Sequence, residues 1–100
     1  MVQKGNNMRE SDYTFLSFLQ FVQEAEIEEK KCQEYIDIGW LQPIETENNL
    51  FSSGDIFKIR KAERLCRDFE IPCHAGAMIV DLLEKIDDLE NQIAQLKNIE

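Results

Sequence analysis

One hundred residues, 43% of them hydrophobic, suffice for one small domain with a modest core. Twenty acidic residues against eleven basic ones give a formal net charge of −9. This balance argues against a DNA or RNA partner, because nucleic-acid affinity comes largely from neutralising phosphates. It favours a basic protein surface as the partner, and the alternative is an acidic surface that serves only solubility.

The first ten residues, MVQKGNNMRE, are polar, and we expect residues 1–10 to form a flexible tail. They lack the apolar centre of a signal peptide. No apolar run in the sequence approaches the length of a membrane span. The sequence therefore predicts a cytoplasmic chain with no membrane partner.

The first helix is predicted over residues 13–22, where apolar side chains recur at spacings of three and four. Ser11, Asp12 and Thr14 are candidate N-caps, because their side-chain oxygens can accept hydrogen bonds from the first turn. The predicted apolar face consists of Phe15, Leu16, Phe18, Leu19 and Val22.

A second helix is predicted over residues 26–38. Gly39 ends it, because glycine tolerates the left-handed conformation of a helix exit, and Pro43 cannot continue it. The predicted inner face consists of Ile27, Cys32, Tyr35, Ile36 and Ile38.

Residues 41–51 have the character of a short hairpin or wing, with a proline, an asparagine pair and separated apolar residues. Ser52 or Ser53 then begins a third helix that runs to about Phe69, with Asp55 near its positive end.

The third helix holds the one basic segment of the chain, which would serve a DNA-binding alternative together with Lys30 and Lys31. The competing interpretation is pairing within the helix, such as Asp55 with Arg60 or Glu63 with Arg67, or pairing to the acidic last helix. The basic residues of the segment are Lys58, Arg60, Lys61, Arg64 and Arg67.

The last segment carries a narrow apolar seam with alternating spacings of three and four, the pattern of a coiled-coil helix. We expect a second copy of the chain to cover this seam, and packing on its own domain is the alternative. The face formed by Asp81, Glu84, Asp87, Asp88 and Glu90 is acidic and typical of a solvated surface. The seam residues are Ile79, Leu82, Ile86, Leu89, Ile93 and Leu96.

Catalytic and metal-binding patterns are missing from the sequence. The chain has three cysteines, Cys32, Cys66 and Cys73, and an odd number fits reduced thiols. Together with His74 they lack the paired spacing of a zinc site. Neither a phosphate-binding loop nor a nucleophile with a nearby histidine and acid is present. We predict a protein that is not an enzyme, with no cofactor and no bound metal.

The order and spacing of these segments resemble the MerR-type winged-helix module and, more closely, the chaperone modulator CbpM family. The resemblance covers about residues 12–96 and implies an all-α, MerR-like winged helix-turn-helix fold with a short wing and a C-terminal coiled-coil-type helix. It implies a winged-helix domain over residues 11–72 and a dimerisation segment over residues 73–100. The segments that carry it are YTFLSFLQ, EIEEKKCQEYIDIGWLQP, FSSGDIFKIRKAERLCRDFEIP and MIVDLLEKIDDL.

The resemblance implies that the chain binds the J-domain of CbpA, a DnaJ-like co-chaperone, and so keeps CbpA from stimulating DnaK. The J-domain helix that engages DnaK is rich in lysine and arginine. The resemblance also implies a homodimer, and in MerR-like dimers the last helices pair antiparallel. The alternative is a MerR-type DNA-binding transcriptional regulator.

The charge of the second helix and of the wing distinguishes J-domain binding from DNA binding. In a MerR-type DNA reader the second helix offers basic and hydroxyl groups to the major groove, and the wing offers arginines to phosphate. This wing is shorter and lacks the usual glycine-aromatic-arginine at its tip, and its carboxylates would be repelled by phosphate. The predicted partner-binding residues are Glu28, Glu29, Glu34, Asp37, Trp40, Glu45 and Glu47. For Trp40 the alternative is a role in the core of the domain.

Overall fold

The structure, a computed structural model, describes residues 14–99, without the side chain of Ile99. The predicted tail over residues 1–10 and the candidate caps Ser11 and Asp12 lie outside the described residues. Within them the fold is mostly helical with one small sheet, which confirms the predicted all-α winged-helix class. The elements are β1 (Phe15–Leu16), α1 (Phe18–Ala25), α2 (Glu29–Asp37), β2 (Phe51–Ser52), a 3-10 turn (Ser53–Asp55), α3 (Ile56–Phe69) and α4 (Cys73–Ile99).

The first predicted helix begins too early in the sequence, because Phe15 and Leu16 form β1 and only Phe18 starts α1. Ser17 is the N-cap, and it forms a capping box with Gln20: the Gln20 amide donates to Ser17 Oγ at 3.2 Å, and the Ser17 amide donates to Gln20 Oε1 at 2.9 Å. This box satisfies two amides that have no partner inside the helix, and it fixes the start of α1. Thr14 is not the cap, since it pairs with Ser53 instead.

The wing is a tight turn between Glu45 and Leu50, and its second half continues into β2. β2 pairs antiparallel with β1, which places Leu16 opposite Phe51. Both side chains are buried, and the Phe51 ring lies 5.6 Å from that of Phe21. The sheet therefore joins the wing to the segment that precedes α1.

The second helix is shorter than predicted at its start. Glu26 has a left-handed φ of 56° and ends α1, while α2 begins at Glu29. The predicted end is confirmed: α2 stops at Asp37, and Gly39 follows with a φ of 81°. A side chain at φ > 0 is strained, so glycine suits this exit.

The chain forms two compact units that divide between Arg60 and Lys61, inside α3. The core of the first unit combines β1, α1, α2 and β2 with the start of α3. Among the described residues, no helix is both long and apolar enough to cross a membrane. The buried apolar residues of the first unit are Leu16, Phe21, Val22, Ala25, Cys32, Tyr35, Leu41, Phe51 and Ile59.

In the second unit, α3 and α4 approach closely at Gly76. A Cβ added to Gly76 would lie 2.5 Å from Cys66 Sγ and 3.0 Å from the carbonyl oxygen of Ala62. The side chains of Cys66, Ala77 and Val80 are buried. The first turns of α4 are therefore packed, and they carry the long remainder of the helix.

Candidate functional site

The predicted acidic residues of α2 lie on its exposed side. Glu28 is the N-cap residue, and Glu29 stands in the first turn, where a carboxylate interacts favourably with the helix dipole. Glu34 and Asp37 follow on the outward side. On the opposite side Cys32 and Tyr35 are fully buried, and this burial fixes which face of α2 points outward.

The outward face of α2 is mixed rather than purely acidic. Lys30, Glu34 and Asp37 are spaced by four and three residues, so they are neighbours on the helix surface. Asp37 Oδ1 accepts a hydrogen bond from Gln33 Nε2 at 2.9 Å. Four carboxylates over residues 28–37 stand against the two ammonium groups of Lys30 and Lys31. The face therefore keeps a net negative charge.

The Glu45 carboxylate is held inside the wing turn. It accepts hydrogen bonds from the Glu47 amide at 2.6 Å, from the Asn48 amide at 3.2 Å and from Asn48 Nδ2 at 2.8 Å. The side-chain hydrogen bond from Asn48, aided by the two backbone amides, lowers the pKa of Glu45. Glu45 thus shapes the turn, and Glu47 is the exposed carboxylate of the wing.

Trp40 is half-buried at the turn that follows α2. Its ring lies 5.5 Å from that of Tyr35, with the two planes tilted by 45°. Lys58 Nζ lies 4.6 Å from the centroid of the Trp40 ring and donates to the Trp40 carbonyl oxygen at 3.4 Å. Lys58 is 18 residues away in the sequence, and no local pattern indicated its role.

Asp55 supports this arrangement from the end of the 3-10 turn that precedes α3. Its carboxylate lies 4.0 Å from Lys58 Nζ. Burial raises the pKa of Asp55, and the nearby Lys58 charge opposes this rise. The predicted pairing of Asp55 with Arg60 is wrong, because Arg60 instead contacts Glu26 at 3.4 Å. Arg67 Nε lies 4.0 Å from Asp68 Oδ1, and the pair of Glu63 with Arg67 stays a prediction.

The seam of α4 is exposed beyond its first turns. Ile79 is half-buried, whereas the later seam residues are between 50% and 64% exposed. From Asp81 to Asn98 every residue is exposed, so the described residues of the second unit leave this part of the seam uncovered. The exposed seam residues are Leu82, Ile86, Leu89, Ile93 and Leu96.

The cysteines are all thiols: Cys32 and Cys66 are buried and Cys73 is half-buried. In the part of the chain that the structure describes, no group of three or more His, Cys, Asp or Glu side chains is arranged to hold a metal ion.

The comparison with known families finds a match over most of the chain. The family described as "MerR HTH family regulatory protein" matches residues 16–98, which span all the elements from α1 to α3 and nearly all of α4. No curated protein and no solved structure shows a significant match to the chain. The matched range covers most of the sequence, and the chain therefore belongs to the MerR HTH family of regulatory proteins.

Proposed function

We propose that this protein is a non-catalytic chaperone modulator of the CbpM type, acting in the cytoplasm. It binds the J-domain of a CbpA/DnaJ-like co-chaperone and inhibits the stimulation of DnaK by that co-chaperone. The observation that carries the proposal is the exposed set of carboxylates on α2 and the wing, the elements with which a winged helix meets its ligand.

The carboxylates on α2 and the wing disfavour the binding of DNA at this surface. A carboxylate brought against phosphate is repelled and also loses water of hydration. Glu34 and Asp37 point outward from α2, and Glu47 is exposed on the wing. The same groups attract a helix rich in lysine and arginine, which speeds the encounter and fixes its orientation.

Exposed charges alone do not give a tight complex. A surface ion pair is typically worth about 1 kcal/mol or less. Apolar contact must therefore supply much of the affinity, and Trp40, with Ile38 and Ile44 on either side of it in the sequence, offers that contact. Ile38 is 46% exposed and Ile44 is 45% exposed.

A homodimer completes the proposal. A helix with an uncovered seam of isoleucine and leucine gains free energy by burying it, and a second α4 presents the same surface. The exposed stretch from Asp81 to Asn98 is about 27 Å long, which leaves room for several layers of paired side chains.

A DNA-binding regulator is the second candidate. The family assignment favours it, as do Lys61 and Arg64, which are exposed on α3. A protein that binds through phosphates holds duplex DNA at low salt and loses it steeply as salt rises. Absence of binding to duplex DNA at low salt would remove this candidate.

The test of the proposal measures DnaK ATP hydrolysis with the CbpA/DnaJ-like co-chaperone of the same cell. Addition of the protein should lower the stimulated rate to the rate of DnaK alone, and should leave the unstimulated rate unchanged. Titration of the isolated J-domain should show saturable binding. A stimulated rate that stays constant at excess protein, with no J-domain binding, would contradict the proposal.

A further inference from the structure

Lys58 holds Trp40 by two different contacts. Its ammonium group lies over the ring, 4.6 Å from the centroid, and also donates to the Trp40 carbonyl oxygen at 3.4 Å. Asp55, at 4.0 Å, is the counter-charge that keeps the ammonium group there. Tyr35 is fully buried and lies against Trp40, so the ring is supported by the core of the first unit.

The position of Lys58 decides which groups can use the ring. The face of an indole attracts cations that come within about 6 Å of its centroid. At Trp40 the protein's own ammonium group already takes that place. A lysine or arginine of a partner would meet a like charge there, whereas an apolar side chain meets no such opposition.

We propose that Trp40 receives an apolar side chain of the partner, and that Lys58 is the residue that sets this selectivity by occupying the cation-binding face of the ring. This inference rests on the proposed function, since it names the contact that the acidic surface surrounds. The partner segment is thus a basic helix whose cations face the carboxylates of α2, with one aliphatic or aromatic residue directed at Trp40.

The first experiment uses the protein without a partner. Trp40 is the single tryptophan of the chain, so its fluorescence reports this site alone. We expect caesium ions to quench it less, relative to iodide, than they quench a tryptophan with no cation on its face. Lys58→Met should raise the caesium-to-iodide quenching ratio about two- to fivefold, the factor that an exposed cation–π contact represents.

Lys31→Met is the matched control, because it removes one exposed lysine of the same unit and changes the net charge equally. It should leave the quenching ratio unchanged. Lys58→Arg should restore the wild-type ratio, since a guanidinium group also stacks on indole. Equal ratios for Lys58→Met and Lys31→Met would overturn the role of Lys58.

The second experiment adds the isolated J-domain and follows the same fluorescence. We expect a blue shift and protection from acrylamide, a neutral quencher, as an apolar group covers the ring. Binding detected by calorimetry with no change in the emission or quenching of Trp40 would overturn the contact while leaving the proposed function intact. Absence of J-domain binding would instead refute the proposed function, and the apolar contact with it.

Discussion

The turn around Trp40 and the second half of α4 differ in how their side chains are supported. At the turn, Lys58 contacts both Trp40 and Asp55, and the wing carboxylate of Glu45 is held by amides of its own turn. Along α4, every residue from Asp81 to Asn98 is exposed, including the apolar seam. The first region is held by contacts within the first unit, and the second presents an apolar surface that the described residues of the second unit leave uncovered.

Because they differ in this way, the two surfaces suit different partners. A surface held in place by its own contacts loses little entropy on binding, so it can recognise a foreign ligand with few residues. An exposed amphipathic seam gains most from a copy of itself, because both copies bury the same apolar stripe. The predictions below test each half of this comparison, beginning with the largest effect.

Breaking the seam should abolish the dimer. We expect Ile86→Asp combined with Leu89→Asp to give a monomer at micromolar concentration, because carboxylates facing each other in a buried seam cost several kcal/mol. Sedimentation velocity measures the outcome. The control is Asn91→Asp combined with Gln95→Asp, which adds the same charge off the seam and should leave the dimer intact. A wild-type protein that sediments as a monomer would refute the seam interface.

Filling the close approach at Gly76 should destabilise the base of α4. Gly76→Ala adds a methyl group 2.5 Å from Cys66 Sγ, and overpacking of this kind costs about 1–3 kcal/mol. Chemical denaturation measures the loss. In a Cys66→Ala background the cost of Gly76→Ala should fall, since the nearest clash is gone and only the Ala62 carbonyl remains. An unchanged midpoint for Gly76→Ala alone would show that the helices separate freely there.

Reversing the acids of α2 should slow binding of the J-domain. We expect Glu28→Lys, Glu29→Lys and Asp37→Lys together to lower the association rate about tenfold and to flatten its salt dependence, because electrostatic steering acts on the encounter. Far-UV circular dichroism should stay unchanged. Stopped-flow measurement at several salt concentrations gives both quantities.

The matched comparison for this triple variant is the reversal of Asp81, Asp87 and Asp88 on α4. That reversal should leave the association rate nearly unchanged. The opposite result, in which the α4 triple abolishes binding and the α2 triple has no effect, would place the interface on α4. If neither triple matters but Trp40→Ala does, the interface is apolar and the acidic charge serves solubility.

The smallest expected effect is a loosening of the wing at low pH. The pKa of Glu45 is lowered in the folded protein, chiefly by the hydrogen bond from Asn48, so ionised Glu45 stabilises the turn. This stabilisation is complete above the ordinary glutamate pKa and is lost as pH falls through the lowered value. Amide hydrogen exchange at Glu47 and Asn48 should show protection that declines over that acid range. Glu45→Gln should remove this pH dependence, and a wild-type profile in that variant would contradict the role of Glu45.

Much of the fold could be predicted from local patterns in the sequence. The regular spacing of Leu82, Ile86 and Leu89 predicted a long helix, and Gly39 marked the end of α2 as the structure has it. The start of α1 was misplaced because Phe15 and Leu16 fit the helical spacing as well as a strand. Ser17 and Gln20 have the spacing of a capping box, which marks the true start of α1, but the polar residues before Ser17 are also possible N-caps in the sequence.

Contacts between distant residues could not be predicted in this way. β1 pairs with a strand that follows the wing, and a two-residue strand has no periodicity of its own. In the sequence Lys58 is one of several basic residues of α3, and only the fold brings its ammonium group over the Trp40 ring. Similarly, the sequence does not distinguish Glu45 from Glu47, and only the geometry of the turn shows which backbone amides donate hydrogen bonds to the Glu45 carboxylate.

Because Cys32 and Cys66 are buried, the rates at which their thiols are chemically labelled measure local opening of the structure. Cys32 belongs to the first unit and Cys66 to the second, and both are buried. A thiol reagent modifies a buried cysteine only when the surrounding structure opens, so the labelling rate of each one reports the opening of its own unit. Equal rates at Cys32 and Cys66 would mean that the two units open as one, and unequal rates would rank their stabilities without any added probe.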